Sequence, residues 1–181
     1  AFLTGITKFS KTNLFSGANN LMDITLLDNY AAICGFTEQE LTDNLMPEIE
    51  RLAKAQKSTV AKTRATLKKK YDGYCFSKRG ERVYNPFSLI RVLANSEYDY
   101  YWFESATPEY VVKSVMHNVY PIPDLNDEVE IDSESLQNFR YGVTDSIPLL
   151  FQSGYLTIKK HLPKLGHFIL GFPNEEVRQG F

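Results

Sequence analysis

The sequence predicts an α+β fold that is mainly helical and closes with a winged-helix-like unit. Apolar residues recur at helical spacing in several segments between Thr37 and Asn118, and cap or proline residues sit at the starts of those segments. From Tyr155 onward the pattern changes to two alternating stretches parted by Gly166, the signature of a hairpin following a short helix.

The elements can be justified in order. Phe2 to Ile6 reads as a buried strand, and Lys8 to Asn20 as a polar stretch rich in Ser, Thr, Asn and Gly. Ile24 to Leu27 predicts a second short strand. Thr37 and Glu40 form a capping box for a helix that continues through Leu41 and Leu45. Pro47 restarts the chain as the first residue of a helix using Ile49 and Leu52, because proline lacks the N–H that a helix interior needs. Ser58 is the expected cap of a third helix, with Val60, Leu67 and Tyr71 on one face. Tyr71 to Tyr74 marks a turn, and Cys75-Phe76 with Val83-Tyr84 is expected to flank a hairpin tipped by Lys78 to Glu81. Asn85-Pro86 opens a helix predicted to bury Phe87, Ile90, Leu93 and Ala94. The aromatic run Tyr98 to Phe103 reads as core, and Thr107-Pro108 starts a helix to about Asn118. Pro121 to Glu134, with two prolines and an acidic cluster, is expected to be a linker or loop. The last quarter predicts a helix from Asp145 to Gln152, strands over Tyr155 to Lys160 and His167 to Phe172, and a final helix capped by Asn174.

Composition narrows the function classes. The 181 residues are 43% hydrophobic and 13% aromatic, enough to bury a core as one domain or two small ones. No apolar run approaches the roughly 20 residues that span a bilayer, so no membrane partner is expected. Cys34 and Cys75 stand apart without a CxxC pair, as reduced thiols in a cytoplasmic protein would. The three histidines lie far from both cysteines, and no metal is expected. The formal net charge is −2, but the segment from Arg51 to Arg82 carries +9 and the rest −11. Within and beyond that basic run, Lys68, Lys69, Lys70, Lys159 and Lys160 are candidate nucleic-acid-binding residues. The same run also fits a solvated helical face.

Gly5 to Thr12 matches the phosphate-loop pattern GxxxxGK[ST] except that Ser10 replaces the second glycine. That glycine lets the backbone wrap a phosphate, and a helix should follow. Asn13, Ser16, Gly17, Asn19 and Asn20 follow instead, all poor helix formers, so the match is read as coincidence. Thr4, at the tip of the first strand, is in a position suited to reach a γ-phosphate or an attacking water. It also fits a plain β-branched strand residue, and the sequence leaves both open.

Several phrases taken together carry a resemblance: Phe2 to Lys11, Leu14-Phe15-Ser16, Asn19 to Thr25, Tyr71 to Tyr74, Val83 to Leu89, Tyr101-Trp102-Phe103 with Thr107-Pro108, Pro148 to Ile158, and Phe172 to Arg178. In this order they resemble the AAA-ATPase-like family of bacterial P-loop ATPases, whose members are often fused downstream to a restriction-endonuclease-like nuclease domain. The resemblance implies that the phosphate loop and the acidic Walker B strand lie upstream of Phe2 and the nuclease beyond Phe181. It makes Phe2 to Ile6 a remnant strand of the P-loop core and puts Thr4 where a sensor residue is expected. The implied units are residues 1–57 as the end of the ATPase core, 58–120 as a helical lid with a hairpin, 121–134 as an acidic linker or loop, and 135–181 as the winged-helix-like unit.

The expected function is therefore the sensor and lid portion of an ATPase that does not hydrolyse ATP alone, with ATP and Mg²⁺ belonging to the intact protein. The expected partners are the upstream P-loop half, a downstream nuclease domain, DNA or RNA, and further copies of the chain. The alternative is a winged-helix-like nucleic-acid-binding module that serves a nuclease.

Overall fold

The structure, a computed structural model, describes residues 22–105, 125, 128–137 and 146–181. The expected first strand with Thr4, the Gly5 to Thr12 near-match and the helix after Pro108 lie outside those residues. Among the described residues the fold is α+β, with seven α-helices and one three-stranded antiparallel sheet.

The expected strand over Ile24 to Leu27 is instead a turn leading to a 3₁₀ turn at Asp28–Tyr30. Its cause is local: the Asp23 carboxylate accepts hydrogen bonds from the Thr25 amide at 3.1 Å and hydroxyl at 2.6 Å, which bends the backbone out of extension. Helix α1 (Glu38–Asn44) begins with the predicted capping box, Thr37 and Glu40 satisfying each other's orphan amides. Helix α2 (Met46–Ala55) carries Pro47 in its first turn and buries Ile49, Leu52 and Ala53. Helix α3 (Val60–Tyr71) is capped by Thr59, whose side chain accepts from the Lys62 amide. Ser58 was the expected cap, but its amide still closes α2, donating to the Ala53 carbonyl at 2.8 Å.

The expected hairpin between Cys75 and Tyr84 is reduced to one antiparallel bridge, Tyr74 with Val83, and Tyr84 bridges instead to Phe36. Helix α4 (Pro86–Asn95) starts at the Asn85 cap as predicted, but it presents a different face. Leu93 is buried as expected, but with Ser88, Leu89 and Val92, while Phe87, Ile90 and Ala94 are exposed. A second 3₁₀ turn spans Tyr101–Ser105.

The acidic segment supplies a strand where a linker or loop was expected: β1 (Val129–Asp132), followed by the short helix α5 (Ser133–Gln137). Helix α6 (Ser146–Gln152), β2 (Thr157–Leu162), β3 (His167–Gly171) and α7 (Glu175–Gly180) follow the predicted order. The sheet order is β1-β3-β2, so the expected two-stranded hairpin forms and β1 pairs with its β3 edge.

Two apolar clusters form the core. One gathers Leu41, Ile49, Leu52, Leu67, Leu89 and Val92 from the helices. The boundary drawn between residues 57 and 58 runs through this cluster, because α2 and α3 pack in it together. The other surrounds the sheet and includes Ile147, Leu150, Ile158, Phe168, Leu170 and Val177. Two segments straddle both. Tyr71 and Tyr84 belong to the helical cluster while Tyr74, Cys75 and Val83 belong to the sheet cluster, and Tyr101 and Trp102 divide the same way.

Candidate functional site

The motif phrases Tyr71 to Tyr74, Tyr101 to Phe103 and Phe172 to Arg178 meet at one junction between the two clusters. Gly73 has φ of +115°, and a Cβ there would fall 2.2 Å from the Pro173 carbonyl oxygen. Glycine is needed for the backbone angle and for the close approach. Beside it, the Cys75 amide donates to Thr157 Oγ1 at 2.7 Å, and the same hydroxyl donates to the Cys75 carbonyl at 3.1 Å. A threonine side chain thus takes the place of a strand partner. Glu176, in the first turn of α7, accepts from the Trp102 amide at 3.0 Å and is 1% exposed. Burial pushes its carboxyl above the usual range, although the Trp102 amide and the Ser88 hydroxyl oppose that shift.

A cleft of about 570 Å³ opens at the edge of this junction, lined by residues that include Lys69, Glu128, Lys159, Asn174, Glu175 and Arg178. Lys159 reaches it through a β-bulge: Ile158 pairs with Leu170 and Lys160 with Ile169, so Lys159 is the extra residue. A bulge re-aims a side chain that the regular pleat would send elsewhere. The Lys159 stem then lies over Gly171, where a Cβ would come within 3.2 Å of Lys159 Cγ and 3.3 Å of Cε. Its ammonium donates to the Pro173 carbonyl at 3.3 Å. Burial, followed by the nearby charges of Arg82 and Arg178, holds the ammonium down to about 8, despite opposing contributions from Cys75 and Glu128.

The five lysines expected to bind nucleic acid do not form one surface. Lys68, Lys69 and Lys70 are consecutive on α3, so they point about 100° apart, and each has its own intramolecular partner. Lys68 lies 3.5 Å from Glu38, Lys69 lies 2.8 Å from Glu175, and the Lys70 ammonium sits 5.4 Å from the centre of the Tyr100 ring. Glu38 also takes a hydrogen bond of 2.6 Å from the Tyr84 hydroxyl and an ion pair of 2.6 Å from Arg64. Burial raises the Glu38 carboxyl, but these hydrogen bonds and the Lys68 charge outweigh it and hold the group below its ordinary value. Lys160 is exposed. The structure therefore brings together only Lys69 and Lys159 of the five.

Sequence reasoning missed Arg82, Arg178, Gly171 and Glu176 as members of this region. Arg178 and Glu176 stood inside a recognised phrase, but nothing in their spacing relates them to a lysine on β2. Among the described residues, no group of three or more His, Cys, Asp and Glu side chains is placed to hold a metal ion, and no helix is long and apolar enough to cross a membrane.

The fold and its cleft define a helix-rich α+β unit with a positively charged recess at the contact of its two cores. No protein-family model matches the chain, and no solved structure matches it. The chain is similar to the uncharacterized protein in the vnfD 5′ region of Azotobacter chroococcum mcd 1, with 36% identity over 181 residues that cover 98% of this chain and 32% of that protein. The chain thus spans about a third of the length of the curated relative it matches.

Proposed function

We propose that this chain is the sensor and lid portion of a longer AAA-like P-loop ATPase, in which hydrolysis of ATP with Mg²⁺ takes place at phosphate-binding and acidic motifs outside these 181 residues. The observation that carries the reading is the junction. Phrases on which the family resemblance rests also meet where the helical and sheet clusters join: Gly73 packs against the Pro173 carbonyl, Glu175 pairs with Lys69 of α3, and Trp102, which follows Tyr101 of the helical cluster, donates its amide to Glu176. A lid transmits nucleotide state only if it moves as a unit, and such ties make one unit of two small cores. The greater length of the Azotobacter relative is compatible with a larger protein around this portion.

In this reading Thr4 is the sensor, and its role is to orient the γ-phosphate or the attacking water rather than to bind the nucleotide base. A nuclease-serving role in nucleic-acid binding is the other reading. It has less support, because Lys68, Lys69 and Lys70 are each engaged within the chain.

Phosphate release from ATP by the 181-residue chain and by the longer natural protein tests the proposal. The chain alone should show no turnover above buffer. The longer protein should hydrolyse ATP, and Thr4→Val in it should lower kcat by about tenfold or more with little change in KM, the pattern of a lost transition-state contact. Turnover by the isolated chain, or none by the longer protein, would overturn the reading.

A further inference from the structure

The cleft beside Lys159 has a charge balance that its own walls do not resolve. Lys69 and Glu175 pair at 2.8 Å and neutralise each other. That leaves Lys159 and Arg178 facing Glu128 alone among the charged groups that line the cleft, a net charge of +1. No carboxylate among the described residues lies within ion-pair distance of Lys159, Arg82 or Arg178. A guanidinium beside a half-buried ammonium disfavours its charged form, and a fold that keeps the two together gains if an anion joins them. The bulge at Lys159 and the absence of a side chain at Gly171 are the local devices that place the ammonium there.

We propose that this cleft is a binding site for a phosphorylated small molecule, with Lys159 and Arg178 contacting the phosphate. The cleft volume of about 570 Å³ falls within the usual range for small-ligand sites, roughly 300–1,000 Å³. Arg178 supplies a planar fork of donors suited to phosphate oxygens, and Lys159 a point charge. Asn174 and Gln179 add amide groups to the same wall. The depressed Lys159 ammonium accords with this geometry, since a bound anion would favour its charged form. The proposal stands apart from the ATPase reading, because it needs neither hydrolysis nor any upstream segment.

Calorimetric titration of the full 181-residue chain with inorganic pyrophosphate, and separately with a short DNA duplex at the same ionic strength, distinguishes a small phosphorylated ligand from a nucleic-acid backbone. Saturable pyrophosphate binding is expected, weakened about tenfold or more by Lys159→Gln and by Arg178→Gln and unchanged by Lys164→Gln, a substitution at an exposed position in the β2–β3 turn. The exposed Arg178 can be replaced without disturbing the core, so that variant decides the matter if Lys159→Gln fails to fold. Absence of pyrophosphate binding, binding indifferent to both variants, or duplex binding that pyrophosphate does not displace would each overturn the proposal.

Discussion

Glu176 is a carboxylic acid with almost no exposure, held by the Trp102 amide at the contact of two cores. Its carboxyl is raised above the ordinary value chiefly by burial, so the charged form is disfavoured in the folded protein relative to the unfolded chain. A group raised in this way contributes most stability below its unfolded value of about 4.5 and loses that contribution as pH rises through its folded value. Glu176→Gln keeps an acceptor for Trp102 and removes the titration. Urea unfolding of both proteins between about pH 4.5 and pH 7 should show the wild type losing stability relative to the variant as pH rises. A constant difference across that window would show that Glu176 keeps its ordinary value. Glu38 has the opposite sense: held low by Tyr84, Arg64 and Lys68, it contributes above its ordinary value and stops contributing in acid.

Helix α4 shows how an element with two apolar faces is oriented by its neighbours. Phe87, Ile90, Leu93 and Ala94 form one stripe, and Leu89, Val92 and Leu93 another that shares Leu93 with it, in the sequence from Pro86 to Asn95. Helical periodicity fits either stripe. The choice is made at the entry to the helix, where the Tyr84 amide donates to Phe36 at 2.8 Å and the Asn85 amide donates to Tyr71 at 3.0 Å. Those bonds set the direction from which α4 leaves, and Leu89 and Val92 then face the helical cluster with no exposure. Ile90 is left 54% exposed. Leu89→Ala should therefore cost about 2–5 kcal/mol and Ile90→Ala about 0.5 kcal/mol or less, read from denaturant midpoints. Equal costs would return the helix to the face first expected. The sheet teaches a related lesson, because β1 lies in a segment whose acids and prolines suggested a loop. Strand pairing with β3, Val129 opposite Leu170 and Ile131 opposite Phe168, outweighed that composition.

Across the whole molecule, two modest cores are joined by a small number of close contacts. The tightest is Gly73 against the Pro173 carbonyl. Gly73→Ala places a methyl group where that oxygen lies and forces an unfavourable backbone angle, so a loss of about 2–4 kcal/mol is expected in thermal or urea unfolding. The same substitution at Gly80, where φ is +81° but nothing lies within 4 Å, should cost less because only the backbone term acts. A Gly73 variant as stable as the Gly80 one would mean that the junction does not hold the two cores together. Much of the architecture was legible before any coordinate was known: the Thr37–Glu40 box, the Asn85 and Asn174 caps, the turn at Gly166 and the β2–β3 hairpin all appear where expected. Each is a contact between residues a few positions apart, so its energy is written in a short stretch of sequence. The buried face of α4, the third strand, the separate partners of Lys68, Lys69 and Lys70, and the meeting of Lys159 with Arg178 follow from packing between distant segments. Local patterns permit several such arrangements at nearly equal energy, and only the summed burial and hydrogen bonding of the assembled chain separates them.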